Sequence, residues 1–293
     1  MVLAAATLFG VNGAVSKVAL ASGVSSLRLS EARSGGACVG LALLALLREP
    51  ASLRLRPREW RGIALFGVAG VALVQLFYFL AIHRLAIGIA LLIQFLGSLL
   101  VAIWARTVGR EHVRRRIWAA LGLSLTGLAL MVQLWGGGNV NGLGVAFALA
   151  SAVTYAAYLL LAERHVSTRD PISLLAWGFL FATVFWTVVQ PWWSFPSTAV
   201  GRTVPLEGHL ASLHLPVWAL VLWVVVLGTI VPFTLIVGAL RHISATRVGI
   251  TAMFEPVVAT TVAWLWLQES LTPVQLVGAA VVLSGIALAQ TAR

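Results

Sequence analysis

Glu255 and Pro256 stand side by side inside the apolar stretch TAMFEPVVATTVAWLWLQES, residues 251–270. A charged side chain at the centre of a membrane-length helix costs ~2.5–3.5 kcal/mol to insert and ordinarily faces a polar interior. Such a carboxyl group can bind an ammonium or a proton, or it can cap backbone groups left open nearby. Pro256 opens one: it has no N–H for the carbonyl of Ala252, and its ring crowds that carbonyl. In lipid the freed carbonyl must face protein or a water-filled cavity. A packing kink is the plainer reading of the proline, and backbone capping that of the glutamate.

Other polar and aromatic residues fall near mid-depth of the apolar runs. Phe9 and Asn12 lie one turn apart, Gln75 and Tyr78 share a face, Gln94 precedes Ser98 by one turn, and Tyr155 and Tyr158 share a face. Trp177 and Trp186 lie well inside another run. A cavity lined by aromatics and uncharged hydrogen-bonding groups suits a small amphipathic solute such as an apolar or aromatic amino acid. Singly, each of these residues serves helix packing equally well. Chemistry of other kinds is missing: there is no His-Glu-x-x-His, no Gly-x-Ser-x-Gly and no glycine loop followed by lysine. The histidines lie in loops or at run ends, which argues against a buried metal site. No catalytic group, metal or cofactor is expected.

The elements that must position these residues are membrane spans. Hydrophobic residues make up 60% of the 293 and charged residues only 10%, against ~25% in soluble domains. The apolar runs match the ~20 residues needed to cross a bilayer as a helix, not the alternating ten-residue segments of a barrel. Ten helices are predicted, over 2–20, 29–47, 61–82, 86–105, 117–135, 142–162, 172–192, 216–239, 248–267 and 273–291. The fold class is therefore an all-α polytopic membrane protein. The segment 193–215 is polar, rich in turn formers and expected to be mobile.

The net charge of +11 does not indicate nucleic acid, because most basic residues lie at run ends, where the positive-inside rule operates. Arg48, Arg54, Arg56, Arg58, Arg61, Arg106, Arg110, Arg114, Arg115, Arg116, Arg164, Arg169, Arg241, Arg247 and Arg293 fall on one side. Lys17, Arg28, Arg33, Arg84 and Arg202 fall on the other, which places both termini in the cytoplasm. Trp60, Trp118, Trp135, Trp192, Trp193 and Trp218 fit an interfacial belt. Lys17 is expected to pair with Glu31 near the outer surface, or to act there as a gate. Cys38, the single cysteine, cannot form an intrachain disulfide. The first run is long enough to span and carries no cleavage-site pattern, so no cleaved leader is expected. GVNG (10–13), GGACVG (35–40) and GVAG (67–70) let helices approach closely.

The chain also repeats. At a shift of 158, AIHRLAIGIALL (81–92) lies over ALRHISATRVGI (239–250), Glu111 over Glu269, Gly70 over Gly228 and Gly127 over Gly285. At a shift of 146, Phe9 lies over Tyr155 and Asn12 over Tyr158. Each half then holds five helices, over 1–135 and 142–291. An odd number inverts the second copy, which gives a pseudo-twofold axis in the membrane plane. Gly97-Ser98 occupies the place of Glu255-Pro256, and interruptions at matching positions of inverted halves point to a binding site. Gly97, Ser98 and Pro256 are the expected hinge.

FGVNGAVSK near the start and ALRHISATRVGITAMFEPVVATTVAWLWLQESLTPVQLVGAAVVLSGIAL near the end resemble the drug/metabolite transporter superfamily, with two EamA-type units. Within it the chain is similar to bacterial exporters of amino acids, including aromatic ones. The resemblance implies a secondary transporter of the inner membrane that moves small metabolites out of the cytoplasm by alternating access. The expected partners are a small-molecule substrate, the lipid bilayer and a proton, in a monomer or weak dimer. The alternatives are a drug or other metabolite carrier of the same fold, and a scaffold or receptor, which would normally carry a large extramembrane domain. A nucleotide-sugar carrier would need arginines or lysines converging at mid-depth, and none is read there.

Overall fold

The computed structural model describes residues 1–133, 141–194 and 200–291. Trp135, Arg293, part of the segment 193–215 and the end of the fifth predicted helix lie outside the described residues. Ten helices follow in order: α1 Val2–Ala21, α2 Ser26–Arg48, α3 Trp60–Ile82, α4 Ile87–Thr107, α5 Arg115–Met131, α6 Gly142–Val166, α7 Pro171–Val189, α8 Val217–Ala239, α9 Ala245–Leu267 and α10 Pro273–Thr291. Among the described residues, nine helices are long and apolar enough to cross a membrane, and α5 has 17 described residues. The protein is an all-α, multi-pass membrane protein.

Polar residues set several helix starts. The Ser25 side chain accepts from Arg28 N at the start of α2 (3.3 Å), and Asn141 accepts from Gly144 N at the start of α6 (3.1 Å). Asp170 accepts from Ile172 N and Ser173 N (2.9 and 3.2 Å), with Pro171 in the first turn of α7, where its missing N–H costs nothing. Outward faces stay apolar: Leu47 is 83% and Val188 80% exposed, as helix faces in lipid require.

The packing follows a twofold pattern. α2 packs on α7 and α5 on α10, each pairing a helix with its own counterpart. α1–α9 matches α6–α4, α8–α1 matches α3–α6, and α8–α2 matches α3–α7. The glycines reproduce it in detail. A Cβ on Gly70 of α3 would lie 2.9 Å from Tyr158 Cα, and a Cβ on Gly228 of α8 would overlap the Asn12 amide. Gly70 and Gly228 coincide in the repeat, as do Tyr158 and Asn12. Two five-helix units therefore face each other upside down.

Regularity breaks at three places. α3 turns π-helical over Phe66–Leu73 and α8 over Val226–Ile230, stretches that overlap at the shift of 158. α9 is divided into Ala245–Ala252 and Phe254–Leu267, with Met253 N reaching back to Ile250 O (3.1 Å). The interruption expected at Gly97-Ser98 is absent, because α4 runs unbroken from Ile87 to Thr107. Neither residue removes a backbone N–H as proline does. Both are buried packing residues: a Cβ on Gly97 would lie 2.5 Å from Ala152 O, and Ser98 abuts Gly249. The matched irregularities of the two repeats lie in α3 and α8 instead.

One further expectation is corrected at the arginine-poor end. Lys17 Nζ pairs with Glu269 (2.8 Å), not with Glu31, which is fully buried and bound by Arg28 (2.6 Å). Within 193–215, strands β1 Thr203–Pro205 and β2 His214–Pro216 form an antiparallel ribbon, tied down where Trp266 Nε1 donates to Leu206 O (2.9 Å). At the arginine-rich end, Arg169 joins Glu59 (2.9 Å) to the carbonyls of Ser52 and Arg54. Lys17 and Glu269 are more than half exposed. Lys17→Met should therefore shift stability by no more than ~1 kcal/mol in thermal unfolding of the detergent-solubilised protein.

Candidate functional site

The elements converge on a central region between the repeats. Phe9 and Asn12 come from α1, Gln75 and Tyr78 from α3, Tyr155 and Tyr158 from α6, and Glu255 from the middle of α9. An aromatic chain crosses it. Phe95 meets Tyr155 (6.0 Å between ring centroids), Tyr155 stacks on Tyr158 (6.4 Å), Tyr158 meets Phe233 edge-on (5.6 Å), and Phe233 meets Phe9 (5.5 Å). Such offset and edge-to-face pairs are worth ~0.5–1.5 kcal/mol beyond their buried area. Phe66 and Phe179 close the far side against Tyr158 and Phe233.

Glu255 is only half-buried although it lies mid-helix in the protein interior. Its neighbour Phe254 packs in one apolar cluster with Phe95 and Tyr155. Arg33 is the residue that sequence reasoning missed. It was placed at the outer edge of a helix expected to start at 29, but Ser25 caps α2 and starts it at Ser26, two turns ahead of Arg33. The statement that no arginine converges at mid-depth is corrected accordingly.

The sequence of α8 explains what holds Arg33. Pro232 has no N–H for the carbonyl of Gly228, four residues earlier, where α8 turns π-helical. Arg33 Nη2 donates to Gly228 O (3.4 Å) and Arg33 Nε to Thr229 Oγ1 (2.8 Å), while the guanidinium lies over the Phe233 ring (5.7 Å). Thr229 donates in turn to Val224 O (2.7 Å). The proline inside the eighth apolar run was the available sequence signal. Thr229→Val should weaken the Arg33 anchor by ~0.6–1.7 kcal/mol, the measured range for hydrogen bonds inside membranes, read as a lower unfolding midpoint.

The remaining predicted residues are placed as follows. Asn12 and Gln75 are buried, and among the described residues Asn12 Oδ1 and Gln75 Oε1 have no hydrogen-bond partner. Gln94 is half-buried in α4. Trp177 is not with this group: its indole donates to Leu53 O (3.0 Å) in the turn between α2 and α3, at the arginine-rich end. Trp186 is fully enclosed in the apolar core with residues of α2. Pro256 follows the break in α9 by three residues.

The model of the EamA-like transporter family matches residues 1–133 and again 142–291. The chain belongs to the EamA-like transporter family. This EamA-like transporter is 26% identical over 257 residues to the threonine/homoserine exporter RhtA of Escherichia coli K12, covering 87% of this chain and 77% of that protein. It is 25% identical over 232 residues to an uncharacterized transporter of Archaeoglobus fulgidus (79% and 76% covered). It is also 26% identical over 296 residues to the uncharacterized transporter YvbV of Bacillus subtilis (97% and 88% covered). A crystal structure of a protein 17% identical matches with a TM-score of 0.76 over 98% of this chain and 95% of its own, a likeness of fold.

Proposed function

We propose that this EamA-like transporter exports amino acids, apolar or aromatic ones foremost, from the cytoplasm through the central region, by alternating access of the two inverted units. The carrying observation is Glu255, which is half-buried in the interior where α9 breaks, next to Phe254, which packs with Tyr155 of the aromatic chain. Helix irregularities that line a cavity, built into inverted repeats, are how secondary transporters form midplane sites. The likeness to RhtA, whose name gives threonine and homoserine as its solutes, supports the amino-acid class. Phe9, Tyr78, Tyr155 and Tyr158 would line the side-chain pocket, with Asn12, Gln75 and Gln94 as hydrogen-bonding groups. Trp177 and Trp186 are left out because of their placement. Pro256 would serve as the hinge.

The arginine-rich face would lie in the cytoplasm, with both termini, and the chain in the plasma (inner) membrane. The Glu255 carboxyl is the group proposed to carry a coupling proton. Counterflow in proteoliposomes, with a panel of amino acids and cationic drugs, tests the reading. Saturable exchange of amino acids is expected; exchange of drugs alone would contradict it and leave a drug carrier of the same fold.

A further inference from the structure

We infer that Arg33 and Glu255 grip the two charged ends of a zwitterion, Arg33 taking the carboxylate and Glu255 the ammonium of an α-amino acid. This rests on the amino-acid reading of the central region and names what the site recognises. Phe254, next to Glu255, packs with Tyr155, and the aromatic chain runs on through Tyr158 to Phe233, over which Arg33 lies; no nitrogen–oxygen distance of 4.0 Å or less links Arg33 to Glu255. Arg33 is held in place by Thr229, Gly228 O and Phe233. These contacts engage Nε and Nη2, and among the described residues Nη1 makes no hydrogen bond. Glu255 is fixed by the helix that restarts at Phe254, and among the described residues its carboxylate has no hydrogen-bond partner. Both residues are half-buried.

A neutral solute entering this gap would leave two charges unpaired, and a simple cation or anion would leave one. A carboxylate and an ammonium on one carbon complete both. The guanidinium offers donors in a fixed fork suited to a carboxylate. The aromatic chain beside it receives the side chain, a surface that discriminates weakly among apolar groups because one methylene changes binding by only ~1–3 kcal/mol. Recognition would then be strict at the backbone end of the solute and permissive at the other.

The test uses the full chain in proteoliposomes loaded with L-phenylalanine, L-leucine or L-threonine, whichever exchanges fastest. Its competitors are the same amino acid, its methyl ester, its N-acetyl derivative and the corresponding decarboxylated amine. Each derivative lacks one charge and should compete at least about tenfold more weakly than the parent, the expectation for losing a charge-assisted hydrogen bond. Arg33→Gln should erase the discrimination against ester and amine, while Arg33→Lys keeps part of it through charge without the fork. If ester or amine competes as well as the amino acid on the unaltered protein, the zwitterion inference is overturned although transport stands. If none of the three amino acids exchanges, the amino-acid reading itself falls, and the inference with it.

Discussion

Glu255→Gln should lower amino-acid counterflow by at least ~30-fold, with the protein still folded. The substitution is nearly isosteric and leaves α9 its shape. It removes the carboxylate while Arg33 stays fixed by α8. In the bound state Glu255 and the substrate ammonium would form a desolvated, hydrogen-bonded charge pair; losing one partner of such a pair costs about 2–5 kcal/mol, and 2 kcal/mol is ~30-fold. Glu255→Asp keeps the charge one methylene further back and should retain measurable exchange. Initial rates at matched reconstitution, with a size-exclusion profile to verify folding, check both. A glutamine variant within twofold of the unaltered protein would remove Glu255 from the site. If the carboxyl also carries the coupling proton, that variant should lose the response of exchange to an imposed pH gradient.

The second large effect lies far from the site. Gly127→Val should destabilise the protein by ~3 kcal/mol, at the upper end of overpacking penalties. A Cβ there would lie 2.6 Å from Val282 N and 2.7 Å from Gly278 O, both backbone atoms of α10 that cannot turn aside. Gly278 answers in kind, with its own Cβ position 2.7 Å from Gly127 O, and Gly285 lies against Ser124. α5 and α10 therefore meet backbone to backbone, as small residues permit in membranes. Gly122 on the same helix is the control, because nothing lies within 4 Å of its would-be Cβ. Gly122→Ala should leave the unfolding midpoint unchanged or raise it, since alanine is the better helix former. Equal midpoints for the two variants would contradict the packing account.

How far the sequence was legible can be judged residue by residue. The spans, the two units and their inversion follow from apolar length, from Gly70 over Gly228 and Asn12 over Tyr158, and from an odd helix count. All are one-dimensional features that survive translation into space. The break near Pro256 was also readable, because a missing N–H has local consequences. What escaped depended on where a helix begins and which way it faces. Ser25 starts α2 three residues earlier than expected, enough to carry Arg33 from the rim to the interior. Trp177 was counted inward by depth along α7, but its indole reaches the turn before α3. Lys17 and Glu31 lie at similar depth, yet Glu269 and Arg28 are their partners, since depth says nothing about azimuth. The π-helical turn of α8 was legible in part, through Pro232, whose effect falls on Gly228 and so on Arg33.

Site-directed thiol labelling tests the central claim most directly. In a Cys38→Ser background, a cysteine replaces Tyr155, which sits in the aromatic chain and packs with Phe254, the neighbour of Glu255. A charged, membrane-impermeant thiol reagent is then applied to right-side-out and to inside-out vesicles. The account predicts reaction from both faces, slowed by saturating amino acid, with Val188→Cys on the lipid face of α7 inert as the control. A cysteine at 155 that stays unreactive from both faces would contradict the account, as would one whose labelling amino acids do not slow.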